Sequence, residues 1–143
     1  SLIDISTDLP LVFPVHPRTK ARLEAFNLLK NLENASQIHL DSPMNYIAFM
    51  GLVVGANAVI TDSGGIQEET SYLGIPCLTL RANTERPATI NQGSNKLTTP
   101  AALRQDLITQ LERLNREIPS IELWDGMTAK RVVASLKNHC KKD

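Results

Sequence analysis

The chain has 143 residues, of which 42% are hydrophobic and 21% are charged, as in an ordinary single globular domain of this length. Its 15 Lys and Arg residues balance its 15 Asp and Glu residues, so the formal net charge is zero. This balance argues against a nucleic-acid or anionic-membrane partner, because binding to either depends on an excess of positive charge. No apolar run reaches the roughly 18 residues that a transmembrane helix needs.

Hydrophobic periodicity in the first part of the chain predicts strands that alternate with helices. Leu11–Val15 is a short apolar run between prolines and is predicted to be a buried strand. An amphipathic helix is predicted from Thr19 to Leu32, where Leu and Phe recur at every third position on one side. Gln37–Leu40 is predicted to be a second strand. The next helix, Met44–Val54, is apolar almost all round, so we expect it to be largely buried.

The middle of the chain continues the alternation. Strands are predicted at Ala58–Thr61 and at Cys77–Leu80, with a helix between them at Gly65–Leu73. The sequence Gly-Ile-Pro after that helix is a stop signal, because Gly favours the position past a helix end and Pro cannot continue the helix. One or two helical turns follow at Arg86–Gln92, and Asn95–Thr98 is predicted to be a fifth strand at the edge of the sheet.

Two further helices complete the predicted fold. The first, Pro100–Glu117, has leucines along one face, and the second, Asp125–His139, closes the chain. Strands that alternate with helices require crossover connections, which give a parallel sheet covered on both faces. The predicted fold class is therefore α/β, a three-layer Rossmann-like parallel sheet. The two cysteines have no metal-ligand spacing and indicate a reduced, cytoplasmic protein without a metal site.

The most informative segment is Thr61–Glu69, with the sequence TDSGGIQEE. A strand is predicted to end in a turn with two adjacent glycines, and a helix begins at once. The first amides of a helix have no internal partners and lie at the positive end of its dipole, so Ser63, Gly64 and Gly65 form a candidate phosphate or diphosphate site. Glu69, one turn further along the helix, suits a vicinal diol such as a ribose. The alternative is an ordinary strand–helix turn, because glycine pairs are common there.

Other polar residues also follow predicted strands. His16 follows the first strand, Ser42 the second, Ser63 the third, and Glu85 with Arg86 the fourth. Because ligands bind beyond the carboxyl ends of parallel strands, these residues are predicted to line one crevice. The alternatives are a surface ion pair for Glu85 and Arg86 and an ordinary loop histidine for His16.

Several motifs in order resemble one family. They are HPRT at 16–19, TDSGGIQEE at 61–69, LGIPCLTLR at 73–81, NTERP at 83–87 and WDG at 124–126. Together they resemble the non-hydrolysing UDP-N-acetylglucosamine 2-epimerases, over nearly the whole chain from Leu11 to Leu136. The resemblance implies that the chain is the C-terminal half of a two-domain fold of the glycosyltransferase B type. It also implies that the N-terminal domain and a His-Arg strand segment lie outside these residues.

The contacts that the family makes with UDP match six positions: Ser63, Gly64, Gly65, Glu69, Phe49 and Arg86. The resemblance implies that Ser63 and the two glycine amides hold the diphosphate and that Glu69 binds the ribose hydroxyls. It further implies that Phe49 lies beside the uracil and Arg86 near the phosphates, although Phe49 in an apolar helix is also consistent with a core residue. His16 matches a histidine near the domain interface, which is associated with substrate-dependent activation in bacterial relatives.

The family interconverts UDP-N-acetylglucosamine and UDP-N-acetylmannosamine, by elimination and re-addition of UDP, without a redox cofactor or metal. Its catalytic carboxylates lie in the N-terminal domain, so the resemblance assigns no catalytic residue to this chain. We expect weak UDP binding and no epimerisation by the chain alone, because half of the cleft is absent. The resemblance also implies a role in cell-envelope polysaccharide synthesis. The sequence is also compatible with a homodimer.

Two alternatives stay open from the sequence. One is the C-terminal half of a hydrolysing epimerase or of a glycosyltransferase, since such proteins share the fold and the diphosphate turn. The other is a non-catalytic nucleotide-sugar binding or regulatory module. The products of the full-length protein distinguish the enzymes from each other, and an upstream sugar-nucleotide domain in the reading frame would exclude the free-standing module.

Overall fold

The computed structural model describes residues 1–112 and 118–140. Within them, short strands alternate with helices, as the periodicity predicts. The strands are β1 (Leu11–Pro14), β2 (Ile38–Asp41), β3 (Val59–Thr61), β4 (Cys77–Thr79) and β5 (Asn95–Leu97). The helices are α1 (Leu2–Ser6), α2 (Pro17–Ala25), α3 (Leu29–Glu33), α4 (Tyr46–Gly55), α5 (Gly64–Leu73), α6 (Pro87–Asn91), α7 (Leu103–Glu112) and α8 (Thr128–Cys140).

All strand pairs in the described residues are parallel. β1 pairs with β2, and β4 lies between β3 and β5. These pairings form two groups, so β1 and β3 each have one hydrogen-bonded strand neighbour within the described part of the chain. The predicted α/β class with parallel strands is confirmed, and β5 lies at the edge as expected.

The central strand β4 is buried on both faces, which produces the layered arrangement. Leu78 packs with Ile5 of α1 and with Leu103 and Leu107 of α7 in one apolar cluster. The next residue, Thr79, points to the opposite face, where its hydroxyl donates to Asn95, and Asn95 in turn donates to Gln67 of α5 and Thr89 of α6. Since successive strand residues face opposite sides, helices cover both faces of β4. The chain therefore has helices, strands and helices in three layers around β4.

The prediction of one helix from Thr19 to Leu32 is wrong, because α2 and α3 are separate. Asn27 between them has φ 54°, a left-handed conformation that Asn adopts more readily than most residues. The chain therefore turns, and Phe26 is 61% exposed instead of joining a continuous apolar face. The Arg22 guanidinium lies 5.3 Å from the Phe26 ring centroid and covers part of that ring.

The expectation that the Met44–Val54 helix is largely buried is also wrong. In α4 only Val53 is fully buried, and Ile47 is 79% exposed. The helix begins after Asn45, whose side-chain Oδ1 accepts a hydrogen bond from the Ala48 amide at 2.9 Å. An apolar composition predicts burial only where the same chain supplies a covering surface, and these described residues leave most of α4 uncovered.

The ends of the chain differ from the prediction in extent. α1 is an additional short helix that the periodicity does not predict, and its Ile5 is 1% exposed. The predicted Pro100–Glu117 helix is observed as α7, and its last five positions, 113–117, lie outside the described residues. None of the helices in the described residues is both long and apolar enough to cross a membrane.

Candidate functional site

The turn between β3 and α5 forms the base of the candidate site. Ser63 is the N-cap of α5, so the helix begins at Gly64, one residue earlier than predicted. The Ser63 amide donates to Thr61 Oγ1 at 3.0 Å, while the Ser63 hydroxyl makes no capping hydrogen bond. The amides of Gly64 and Gly65 lie in the first turn, where helical N–H groups lack intrahelical partners and the dipole is positive. These amides are therefore able to donate to an anion placed at the turn.

Arg86 lies directly over this turn. A Cβ atom built on Gly64 would be 2.5 Å from Arg86 Nη1. The guanidinium is held by two carboxylates, with Nη1 2.5 Å from Glu85 Oε1 and Nε 2.8 Å from Glu68 Oε2. The hydrogen bond to the Glu68 carboxylate raises the pKa of Arg86, and Glu85 makes a smaller contribution in the same direction. The side chain is therefore a permanent positive charge beside the start of α5. The structure therefore brings together Ser63, Gly64 and Arg86, three of the predicted residues.

Glu69 and Phe49 lie beside Tyr46, which is not among the residues predicted from the sequence. The Tyr46 hydroxyl donates to Glu69 Oε1 at 3.0 Å, and this contact raises the pKa of Tyr46. Tyr46 stands at the first position of α4 and Phe49 one turn later, so both lie on the same side of that helix. The spacing of Tyr46 and Phe49 is a signal that could have found Tyr46 from sequence.

His16 occupies a different local position. It is the N-cap of α2, and its ring Nδ1 accepts a hydrogen bond from the Arg18 amide at 3.2 Å. Within the described residues, no side-chain hydrogen bond or ion pair joins His16 to Ser63 or to Arg86. Its position after β1 agrees with the predicted carboxyl edge of the strands.

A buried polar residue beneath the turn is also absent from the sequence prediction. Gln67 of α5 is 0% exposed, and its side-chain Nε2 donates to the Ser63 carbonyl at 3.2 Å. The one sequence signal for Gln67 is that it is uncharged, because an amide costs less to bury than the carboxylates of its neighbours Glu68 and Glu69. In the described parts of the chain, no three His, Cys, Asp or Glu side chains are grouped so that they could hold a metal ion.

Comparison with known proteins places these residues in a family. A sequence model of the UDP-N-acetylglucosamine 2-epimerase family matches residues 1–137. The chain is similar to the UDP-N-acetylglucosamine 2-epimerase of Methanococcus maripaludis, with 49% identity over 87 residues, which are 61% of this chain and 24% of that protein. It is also similar to the enzyme of the same name from Escherichia coli, with 31% identity over 97% of this chain and 39% of that protein.

Solved structures agree with the sequence comparison. The Methanocaldococcus jannaschii UDP-GlcNAc 2-epimerase in complex with UDP-GlcNAc and UDP superposes with a TM-score of 0.82 at 36% identity. The match covers 96% of this chain and 38% of that one, so the chain spans about two fifths of the length of this relative. From the family match over 137 residues and this shared fold, the chain belongs to the UDP-N-acetylglucosamine 2-epimerase family.

Proposed function

We propose that residues 1–143 are the UDP-binding, C-terminal domain of a UDP-N-acetylglucosamine 2-epimerase. The observation that carries this proposal is the start of α5, where the helix begins with Gly64 and Gly65 after Ser63 and the Arg86 guanidinium packs against Gly64. Such an arrangement is complementary to a diphosphate, because helix N-termini and arginine both favour anionic oxygens. The complex of the M. jannaschii relative with UDP-GlcNAc and UDP supports the choice of nucleotide.

The diphosphate would lie against Ser63, Gly64 and Gly65. Arg86 would neutralise its charge by exchanging its contact with Glu85 for a phosphate oxygen. This exchange is feasible because Glu85 is 57% exposed at its side chain and regains water when Arg86 leaves it. Arg86 would keep its contact with Glu68, which remains on α5 below the phosphate.

The nucleoside would lie along α4 and α5. Glu69 would accept hydrogen bonds from the two ribose hydroxyls, and the hydrogen bond from Tyr46 would hold its carboxylate in place. Phe49, half-buried on the same side of α4, would contact the uracil face. This set explains why Glu69 and not Glu68 is the ribose residue, since Glu68 is occupied by Arg86.

For the longer enzyme we propose the non-hydrolysing reaction, in which UDP is eliminated to leave a 2-acetamidoglucal and is then added back. This chain would retain UDP between the two steps, so that re-addition is effectively intramolecular. The acid and base groups would come from an N-terminal domain, with His16 at the interface. The proposed setting is the cytoplasm, where the product would enter cell-envelope polysaccharide synthesis.

Isothermal titration calorimetry of the chain with UDP tests the binding site. We expect saturable binding that Ser63→Ala and Glu69→Ala each weaken about tenfold or more, because each removes a hydrogen bond to a charged partner or a diol. Glu24→Ala on α2 is the matched control, since Glu24 is an exposed helical glutamate and should leave the affinity unchanged. Equal UDP affinity in the wild type, Ser63→Ala and Glu69→Ala would remove the site assignment.

A further inference from the structure

Gln67 is the centre of a buried polar network between α5 and β4. Its Oε1 atom accepts hydrogen bonds from Thr84 Oγ1 at 2.6 Å and from Asn95 Nδ2 at 3.1 Å. Its Nε2 atom donates to the Ser63 carbonyl at 3.2 Å. The Gln67 side chain is 0% exposed; its contact with Asn95 is buried, and its contacts with Thr84 and Ser63 are partly buried. One amide therefore joins the turn before α5 to the loop after β4.

The network continues along that loop to Arg86. The Thr84 hydroxyl, which donates to Gln67, accepts from the Arg86 amide at 3.1 Å. The Thr89 hydroxyl accepts from Asn95 Nδ2 at 3.2 Å and donates to the Arg86 carbonyl at 2.8 Å. Each threonine hydroxyl is thus used once as donor and once as acceptor, and both backbone polar groups of Arg86 are fixed.

The base of the network lies on the sheet. Asn95 of β5 receives a hydrogen bond on Oδ1 from Thr79 Oγ1 of β4 at 2.7 Å. Thr79 is 0% exposed and Asn95 is 5% exposed, so a strand pair in the core anchors the loop. A buried polar cluster that is fully paired fixes one arrangement of its members, whereas apolar side chains of equal volume would allow several.

The geometry points to a role for this network beyond packing. It connects the Ser63 carbonyl, in the turn before α5, with the backbone of Arg86, in the loop after β4. The proposed function places both the turn and the loop against the diphosphate. We propose that Gln67 is a positioning residue which, through Thr84, sets the Arg86 loop against the α5 N-terminus for diphosphate binding. This inference rests on the proposed function, because it concerns how tightly that same site binds UDP.

The test compares Thr84→Val with Thr84→Ser on the 143-residue chain, using a chemical-shift titration with UDP that measures dissociation constants into the millimolar range. Thr84→Val removes both hydrogen bonds of the hydroxyl and should weaken UDP binding about fivefold, the equivalent of one net hydrogen bond. Thr84→Ser keeps the hydroxyl and should restore the affinity. Thr89→Val, which removes the hydroxyl's hydrogen bonds with the Arg86 carbonyl and with Asn95, is the second variant and should act in the same direction.

Thr98→Val is the matched control for a general loss of stability. Thr98 is 6% exposed, and its hydroxyl donates to Asp106 Oδ2 at 2.6 Å, outside the network. This variant should lower the melting temperature and leave the UDP affinity within about twofold of the wild type.

A double-mutant cycle separates positioning from structure. If Thr84 acts through Arg86, then Thr84→Val should have almost no further effect on UDP binding in an Arg86→Gln background. An undiminished effect in that background, or an unchanged affinity in Thr84→Val alone, overturns the positioning role while the proposed function stands. A wild-type chain without saturable UDP binding overturns the proposed function, and the positioning role with it.

Discussion

Arg86 shows how a residue that looks ordinary in sequence becomes central in the fold. Adjacent Glu85 and Arg86 are consistent with a surface ion pair, and the pair is indeed formed. The structure adds Glu68 from α5 as a second partner, so the guanidinium joins two segments that are distant in sequence. Half-exposed ion pairs contribute little to stability, so the value of this cluster lies in where it holds the charge.

Asp125 offers a residue-level prediction from its pairing with Arg131. Arg131 Nη1 lies 3.0 Å from both carboxylate oxygens, and the Met127 amide donates at 2.9 Å. These contacts favour the charged form and lower the pKa of Asp125 from 3.8 to about 2. A lowered pKa means that the stabilisation is present above pH 3.8 and disappears as the pH falls towards 2.

An NMR titration of the Asp125 carboxyl carbon checks this pKa. Arg131→Met should return its midpoint towards the ordinary value, because the first and largest cause of the shift is removed. Lys130→Met removes an equal charge from the adjacent position of α8 and serves as the control. A similar rise in the Asp125 pKa in both variants would show that the positive charge of α8 as a whole lowers this pKa, and not the contact with Arg131.

At the scale of elements, the contact between α5 and the segment after α6 is unusually close. A Cβ atom on Gly93 would lie 2.5 Å from Ser71 Oγ and 2.5 Å from the Thr89 carbonyl oxygen. The backbone contact cannot yield by a side-chain rotation. Glycine at this position therefore allows α6 and β5 to approach α5, which brings Asn95 within reach of Gln67.

Gly93→Ala is predicted to destabilise the chain by about 1–3 kcal/mol, the usual cost of inserting an atom into a packed region. Gly55→Ala is the matched control, because a Cβ atom there would have nothing within 4 Å. That change should be neutral or stabilise by about 0.5 kcal/mol through the lower entropy of the unfolded chain. Urea unfolding of the two variants measures both changes in the free energy of unfolding. Equal unfolding midpoints for Gly93→Ala and Gly55→Ala would contradict the close contact of Gly93 with Ser71 and Thr89.

Helix boundaries show why elements are only partly predictable. A repeat of apolar residues at every third position predicts one helix from Thr19 to Leu32, but Asn27 adopts φ 54° and divides it. Local turn chemistry overrides a periodic pattern, since one left-handed residue is enough to stop a helix. The start of α5 after Ser63 is predicted to within one residue, because two adjacent glycines mark the turn.

At the scale of the whole molecule, much apolar surface of the described chain is uncovered. α4 is largely exposed, and Val132, Val133 and Leu136 of α8 are each at least 50% exposed. β1 and β3 each have one strand neighbour in the described residues, although Leu11 and Ile60 pack against the same apolar cluster. The chain spans about two fifths of the length of the E. coli and M. jannaschii relatives. These exposed apolar surfaces are therefore best compared with the same surfaces in the longer proteins.

The chain by itself is predicted to bind UDP without turning over UDP-N-acetylglucosamine. The proposed site would hold the nucleotide, while the face of the sugar would meet water instead of a positioned acid and base. Proton NMR of the chain with UDP-N-acetylglucosamine should show no new anomeric signals over hours. Formation of UDP-N-acetylmannosamine would place catalytic groups within these 143 residues and contradict the proposal.

The sequence by itself determined the parallel α/β class, the glycine turn before α5 and the family, because periodicity, glycine pairs and ordered motifs are local properties. Only the tertiary structure decided which polar residues meet. It selected Gln67 over its neighbours for burial, placed Arg86 over Gly64 and joined Tyr46 to Glu69. Such contacts link residues about 20 positions apart, and their formation depends on how elements pack, which no local pattern encodes.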